Sequence, residues 1–162
     1  MAASARRVAT VLLPAGAWLV GSTPGALADQ QTVFFVQMSG DQVIGNTGGD
    51  PDGSGTATIT VNHKTEQVCL EVDTTNVATP TKDYYIAEGA AGEPGGFVWA
   101  IFNIDNNNPD PSTCFVRYNG FASFKEIWRM IEDNPAAFHL AVHNFEHVDN
   151  GAIRGQLTLV SK

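Results

Sequence analysis

Short segments of alternating apolar and polar residues recur along most of the chain. Residues 56–61 (TATITV) and 68–72 (VCLEV) each place three apolar side chains on one face, and TVFFVQM, FVWAIFN and TCFVRY are further apolar runs of strand length. Turn-forming clusters separate them, such as GNTGGDPDGSG, GAAGEPGG and NNNPDPS. A period of two between such turns indicates β-strands with one buried face. The pattern predicts an all-β fold, namely an antiparallel β-sandwich that is Greek-key, immunoglobulin-like or partly barrel-like.

One segment has helical spacing instead. Its apolar positions are Phe124, Ile127, Trp128 and Ile131. Ser123 and Glu126 match a capping box, in which a hydroxyl and a carboxylate satisfy free N–H groups at the start of a helix. Pro135 cannot continue this helix, so we expect the helix to end just before it. We predict one short helix near residues 124–133, which closes one end of the sandwich.

The first 28 residues have the three parts of an export signal. Two arginines precede a mostly apolar run, and Ala26-Leu27-Ala28 is typical of a cleavage site. We predict a signal peptide over residues 1–28 and a single domain over residues 29–162, which retains 134 of the 162 residues. That length is sufficient for a real core. We therefore expect a secreted, extracellular protein.

The chain is acidic. Its formal net charge is −8, and loss of the two signal-peptide arginines makes it −10. Such a chain lacks the basic stripe that nucleic acids require, and anionic lipid surfaces repel it. No later run approaches the roughly 20 apolar residues of a membrane span. We expect no nucleic acid partner and no membrane span after signal cleavage.

Cys69 and Cys114 are the only cysteines, and both follow the predicted signal peptide. Oxidising conditions outside the cytoplasm favour a disulfide between them. A metal-bound pair would lack the close spacing of zinc sites, and two free thiols are the other alternative. A bridge that closes so long a loop stabilises a protein by about 3–4 kcal/mol in the chain-entropy model.

The candidate metal ligands are His139, His143 and His147, each four residues from the next. On a helix this spacing would chelate one ion, but FHLAVHN alternates as a strand. Four strand residues span about 13 Å, which is too far for two ligands of one ion, although a bulge leaves a single histidine ligand open. DPDGSG (residues 50–55) matches only part of a calcium loop, so we interpret it as a turn, with weak calcium binding as the alternative. We predict no metal, no cofactor and no catalytic residue, because Ser/His/Asp and paired-carboxylate motifs are also lacking.

The end of the chain predicts a β-hairpin. Asn150-Gly151 is a strong signal for a two-residue type I′ turn, and AIRGQLTLV alternates after it. In the resulting register Val142 lies opposite Leu159 and His143 opposite Thr158, so core residues meet core residues. The histidines then share an exposed polar face with Arg154, Gln156 and Thr158.

Several segments together resemble the CHRD family, whose domains are named after chordin. NGAIRGQL resembles the end of these domains, and NPAAFHLAVHN resembles the strand before it. GDPDGSGTATITVNHKTEQVCLEV resembles the opening strands and YYIAEGAAGEPGGFV the central glycine-rich segment. The two cysteines fall where bacterial members often carry a pair. The likeness covers about residues 32–160 and implies a secreted bacterial single-domain member.

The resemblance singles out six family positions, which are Gly89, Gly92, His143, Gly151, Arg154 and Gly155. We interpret them as architectural: Arg154 pairs with nearby acids, and Gly155 lies on the core side where a side chain does not fit. One departure matters. The central segment of the family usually begins with His-Ile-His, and Tyr85-Ile86-Ala87 stands there in this chain. The absence of both histidines weakens the case for a metal or catalytic role of that pair.

In chordin-like proteins the domain belongs to an extracellular binder of growth factors, so the resemblance implies binding. We predict a noncatalytic binding or structural module of the cell exterior, with an extracellular protein or cell-surface component as partner. Two alternatives stay open. One is an extracellular metal-dependent enzyme of oxidoreductase type on a β-sandwich scaffold. The other is a small-ligand or glycan binder that uses aromatic side chains, namely Tyr84, Tyr85, Trp99 and Tyr118.

Overall fold

The computed structural model describes residues 31–45, 47–102, 112–116 and 123–162, so the predicted signal peptide and Tyr118 lie outside the described residues. The elements in chain order are β1 (Gln31–Ser39), β2 (Ser54–Asn62), β3 (Gln67–Thr75), β4 (Thr81–Glu88), β5 (Gly96–Phe102), β6 (Ser112–Val116), α1 (Phe124–Asp133), β7 (Phe138–Asn144) and β8 (Ile153–Ser161). Single 3-10 turns lie at Gly40–Gln42 and Pro135–Ala137. None of the described helices is long and apolar enough to cross a membrane. The predicted all-β fold with one short helix is confirmed.

The eight strands form one antiparallel sheet in the order β5-β4-β7-β8-β1-β2-β3-β6. This single sheet curls around its apolar face, which is the partly barrel-like form of the predicted sandwich. The C-terminal strand β8 lies between β7 and β1. The segment NGAIRGQL therefore leads into the middle of the sheet rather than to an edge.

The inner face of the sheet holds the core that the alternation predicted. Its strands contribute fully buried side chains such as Ile59, Leu70 and Leu140. Helix α1 covers this face, and the ring centroid of Trp128 lies 6.0 Å from those of both Phe34 and Trp99. The capping box at the start of the helix is present as predicted. Period-two strands and one amphipathic helix thus bury a shared apolar interior.

The predicted disulfide between Cys69 and Cys114 is confirmed. The two residues lie directly opposite each other in the antiparallel pair of β3 and β6. Strand β6 is the last strand of the sheet and has β3 as its neighbour. The bridge therefore fastens a short edge strand to the body of the sheet.

The predicted two-residue hairpin between β7 and β8 is wrong. Strand β7 ends at Asn144 and β8 begins at Ile153, so Asn150-Gly151 lies inside a longer loop. A type I′ turn needs positive φ at both central residues, but of these two only Gly151 has it, at +89°. The cause is Asn144, whose Oδ1 accepts from the main-chain N–H groups of Glu146 at 3.1 Å and His147 at 2.7 Å. This Asx turn ends the strand early.

The register of the two strands changes accordingly. Val142 lies opposite Ile153 rather than Leu159. This displacement is an even number of positions, so each side chain keeps its predicted face. Val142 and Leu157 are accordingly buried in the core. The predicted pairing was therefore displaced along the two strands, but the face predicted for each side chain is correct.

Leu157→Ala should lower the free energy of unfolding by about 2–5 kcal/mol, because truncation of a buried leucine leaves a cavity. Val160→Ala is the control on the same strand. Val160 is 62% exposed, so its truncation should change the free energy by less than about 0.5 kcal/mol. Urea unfolding of both variants measures the difference. Equal losses would contradict the orientation of β8.

Candidate functional site

A cavity of about 410 Å³ opens on the outer face of the sheet, opposite the core, and is called the outer cavity here. Its floor consists of outward-facing residues of β4, β7 and β8, namely Tyr85, Ala87, His139, Ala141, His143 and Arg154. Alternate residues of a strand share one face, so neighbouring strands supply one continuous surface. The register places Arg154 opposite Ala141. The arginine side chain therefore leaves the sheet between those of His139 and His143.

Three loops and the start of β5 form the rim of the outer cavity. These rim residues are Ile44, Pro94, Gly95, Phe97, Val148, Asp149 and Asn150. Phe97 is 59% exposed, Val148 44% and Ile44 36%. The outer cavity thus combines a polar floor with an apolar rim.

His139 and His143 are buried, with 4% and 8% of their surfaces exposed. The expectation that they lie on an exposed face is wrong, because the glycine-rich segment 89–96 and the β7–β8 loop lie over that face. His147 is half-buried in the β7–β8 loop, outside strand β7 and apart from the residues that line the outer cavity. The structure brings together two of the three candidate histidines.

Each floor histidine is fixed by a main-chain carbonyl. His139 donates Nδ1–H to the oxygen of Gly89 at 3.1 Å, and His143 donates Nδ1–H to that of Val148 at 2.9 Å. A carbonyl oxygen only accepts, so the proton of each neutral ring is on Nδ1 and Nε2 is an acceptor. Burial lowers the pKa of both histidines, although these hydrogen bonds oppose the effect. Both rings are therefore neutral near pH 7.

The Nε2 atoms of these histidines remain accessible from the outer cavity. In the described part of the chain, Trp128 Nε1 is the one fully buried side-chain polar atom without a hydrogen-bond partner. Neither Nε2 atom has a partner among the residues that the structure describes, so both must keep contact with solvent. The floor thus presents two fixed, neutral hydrogen-bond acceptors.

Arg154 is 3% exposed and donates to main-chain carbonyls instead of the acids that we expected. One terminal nitrogen donates to the oxygen of Glu93 and the other to that of Ala90, each at 2.9 Å. Among the described residues, no carboxylate lies within ion-pair distance of it. Burial lowers the pKa of the guanidinium, but arginine stays charged in proteins. The floor therefore carries a positive charge that no described acid neutralises.

Glycines allow the segment 89–96 to lie close to the sheet. The oxygen of Gly89 accepts from His139 and also from Gln156 Nε2 at 3.0 Å. Gly92 lies in the turn of this segment with φ of +82°, a backbone conformation that favours glycine. A Cβ at Gly95 would lie 2.9 Å from His139 Nε2 and would overlap the neighbouring ring carbon.

Gly155 has a separate role on the core side of β8. A Cβ at this position would overlap the main-chain oxygen of Gln37 on β1 and would lie 3.0 Å from a methyl group of Val36. Strands β1 and β8 are neighbours in the sheet, so their backbones pass closely here. Glycine lets the centre of the sheet close without a clash.

The four aromatic residues proposed for ligand binding fall into three groups. Tyr84 and Trp99 are core residues, with 0% and 2% exposed. Tyr85 is on the cavity floor, and its ring meets that of His143 edge-on at 4.7 Å. Burial, together with a hydrogen bond to Asp83, raises the pKa of Tyr85, so it remains a neutral phenol. Tyr118 lies outside the described residues.

A second polar cluster joins helix α1 to the sheet. His63 Nε2 lies 2.8 Å from Glu132 Oε1 and 3.0 Å from Thr32 Oγ1, and Thr32 donates to the same carboxylate oxygen at 2.7 Å. A catalytic triad uses both ring nitrogens, one toward the nucleophile and one toward the acid. Here both partners meet one nitrogen. The arrangement fastens the helix and is not that of an activated nucleophile.

The family model for the CHRD domain matches residues 34–157. The chain belongs to the CHRD family. The match includes the strands that form the outer cavity and ends at Leu157 in β8. Comparison with curated proteins gave no match, and comparison with solved structures gave none either.

The departure of this CHRD domain from the family pattern lies on the cavity floor. Ala87 is opposite His139, and Tyr85 is opposite Ala141. Histidines at 85 and 87 would therefore share one surface with His139 and His143. In this CHRD domain only the β7 pair is present, and the described residues contain no group of three or more His, Cys, Asp or Glu that is able to hold a metal.

Sequence reasoning missed the apolar rim. Phe97 and Trp99 are two residues apart in β5, which predicts that their side chains lie on the same face of the sheet. Phe97 is nevertheless exposed and Trp99 is buried. The register shifts between Ile86 and Ala87, so that Trp99 pairs with Ile86 and Phe97 with Ala87. A bulge of this kind reverses the alternation and leaves no signal in it. Ile44 and Val148 lie in loops, where periodicity gives no information.

Lowering the pH below about 6.5 should destabilise the domain. His139 and His143 have lower pKa values folded than unfolded, so the unfolded chain binds protons first. The contribution of these two histidines to the free energy of unfolding is fully present above their unfolded pKa. It is lost as the pH falls through their lower folded pKa values. Urea unfolding between about pH 7.5 and 5.5 measures this loss.

The loss should be smaller in His139→Gln and in His143→Gln, since each removes one of the responsible groups. His147→Gln is the control, because it removes a histidine from the loop outside the cavity. A pH dependence that is the same in all four proteins would contradict the assignment.

Proposed function

We propose that this CHRD domain is a noncatalytic binding module of the cell exterior and that the outer cavity is its ligand site. The observation that carries the proposal is the apolar rim around a buried polar floor. Such a combination is typical of ligand sites, where apolar walls supply burial and a few polar groups fix orientation. The proposed partner is an extracellular protein or cell-surface component that inserts a small group into the cavity.

The distribution of exposed apolar side chains supports this site. Among the described residues, the exposed large hydrophobic side chains are Phe35, Ile44, Phe97, Met130, Phe145, Val148 and Val160. Ile44, Phe97 and Val148 line the outer cavity, and Phe145 lies in the same loop as Val148. Exposed apolar residues that gather around one opening indicate an interaction surface, whereas scattered ones do not.

The proposal includes export, with residues 1–28 as a signal peptide and residues 29–162 as the mature domain. The Cys69–Cys114 disulfide supports an oxidising compartment. The acidic net charge of −8 argues against nucleic acid as the partner.

Export predicts that the mature protein begins at Asp29. Expression of the full chain in a secreting host should yield extracellular protein whose N-terminal sequence starts there. Replacement of Ala26 and Ala28 by leucine removes the small residues of the cleavage site and should leave a longer chain. Folded extracellular protein that retains Met1 would contradict the proposal.

A metal-dependent enzyme is the second candidate, and one observation favours it. Metal-binding histidines commonly donate the other ring nitrogen to a carbonyl or carboxylate, which orients the ring. His139 and His143 make this kind of hydrogen bond, and no described residue bonds to either Nε2. The missing pair at positions 85 and 87 weighs against it, because the described part of the cavity then offers only two neutral nitrogens as ligands.

Amide NMR spectra titrated with benzoate, benzylamine, a methyl glucoside and Zn²⁺ test the candidates together. We expect at least one organic probe to shift amides of the outer cavity in a saturable way. Phe97→Ser should weaken that binding, since it removes a rim side chain. Phe35→Ser is the matched control, as Phe35 is an exposed strand phenylalanine outside the cavity.

The outcomes separate the classes of function. Saturable shifts with only the glucoside favour the glycan binder, and stoichiometric shifts with only Zn²⁺ favour the metal-dependent enzyme. If no organic probe perturbs the cavity, the proposed binding module is refuted.

A further inference from the structure

We infer that the outer cavity binds a carboxylate that bears a small apolar or aromatic body, with the carboxylate held by Arg154. This inference rests on the proposed function, because it names the ligand class for that site.

The charge of Arg154 is the first reason. A charged group that is 3% exposed has lost most of its hydration, and such a loss is normally offset by an opposite charge. Within the described ranges its acceptors are two main-chain carbonyls and, at 3.5 Å, the side-chain oxygen of Gln156, all of them neutral. They satisfy hydrogen bonds but leave the positive charge uncompensated.

The Nε–H donor of Arg154 is the second reason. Its Nε has no acceptor in the described part of the chain, and it is not among the fully buried atoms without partners, so it reaches solvent. Because Arg154 lines the outer cavity, its Nε–H faces the solvent inside that cavity. A carboxylate oxygen accepts from this charged N–H in a charge-assisted hydrogen bond, which is about twice as strong as a bond between neutral groups.

The other polar groups select among anions. His139 and His143 are neutral acceptors at Nε2, so they repel further anionic oxygens and favour an N–H or O–H donor on the ligand. A phosphate or sulfate would bring too many oxygens to this floor. Asp149 also lines the cavity, but it is exposed, and solvent screens its repulsion. A single carboxylate fits these groups best.

The volume of the cavity and its apolar rim determine the size and polarity of the rest of the ligand. A volume of about 410 Å³ lies toward the small end of the range for ligand sites, about 300–1,000 Å³. Phe97 and Tyr85 meet edge-on with centroids 5.7 Å apart, which leaves apolar surface of Phe97 beside the opening. An aromatic or branched apolar body would cover this surface. A neutral sugar would leave Arg154 without a counter-ion, and an ammonium group would meet a like charge.

A series of ligands with one shape and different charge tests the inference. Benzoate should bind the wild-type protein about tenfold or more tightly than benzamide, because only benzoate brings a charge to Arg154. Benzylamine and inorganic phosphate should both bind more weakly than benzoate. Calorimetry gives the affinities, and amide NMR shifts show that binding occurs at the outer cavity.

Two arginine variants make the test specific. Arg154→Gln should abolish the preference for benzoate over benzamide. Arg129→Gln should keep it, since Arg129 is exposed on helix α1 and its loss changes the net charge equally. The ligand series on the wild-type protein decides the matter even if Arg154→Gln does not fold.

The inference and the proposed function fail in different ways. Equal affinities for benzoate and benzamide at the cavity would overturn the inference and leave the binding module in place. Phosphate binding as tight as that of benzoate would overturn the assignment to carboxylates. If no probe binds the cavity, both are overturned.

Discussion

Two hydrogen bonds from Arg154 hold the glycine-rich segment over the outer face of the sheet, and the outer cavity depends on them. Gln156 assists from the next outward position of β8, with hydrogen bonds to the carbonyls of Gly89, Ala136 and Phe138. Without this cover the floor histidines would face bulk water, as an ordinary one-sided sheet would have them. The cover excludes that water and lowers the pKa values of both histidines. It also leaves the charged guanidinium of Arg154 facing a small cavity. Architecture and candidate chemistry therefore share one residue.

The inner half of the molecule could be predicted from the sequence because its signals are local. Period-two alternation gave the correct inward face for Ile59, Leu70 and Leu140, and it survived even an error in register. The capping box and the apolar stripe gave the bounds of helix α1. A chain with two cysteines allows only one intramolecular pairing. The family likeness then agreed with the matched residues 34–157.

The outer half could not be predicted because non-local contacts form it. Alternation shows that His139 and His143 leave the core, but it does not show that a distant segment lies over them. The early end of β7 depends on one side-chain oxygen of Asn144, and this competed with a stronger turn signal at Asn150-Gly151. The reversed face of Phe97 depends on a bulge. Each of these features is a choice between hydrogen-bonding partners that residue patterns alone leave open.

The close approach of Gly95 to His139 has a consequence for how CHRD domains vary. A Cβ at position 95 and the imidazole at position 139 occupy the same space. The two positions are therefore coupled across a gap of more than forty residues, because residue 95 cannot gain a side chain while the ring of His139 stays where it is. A CHRD domain that acquires a larger residue at the first position must shorten or move the side chain at the second. The glycine at position 95 is thus what leaves room for the buried ring at position 139.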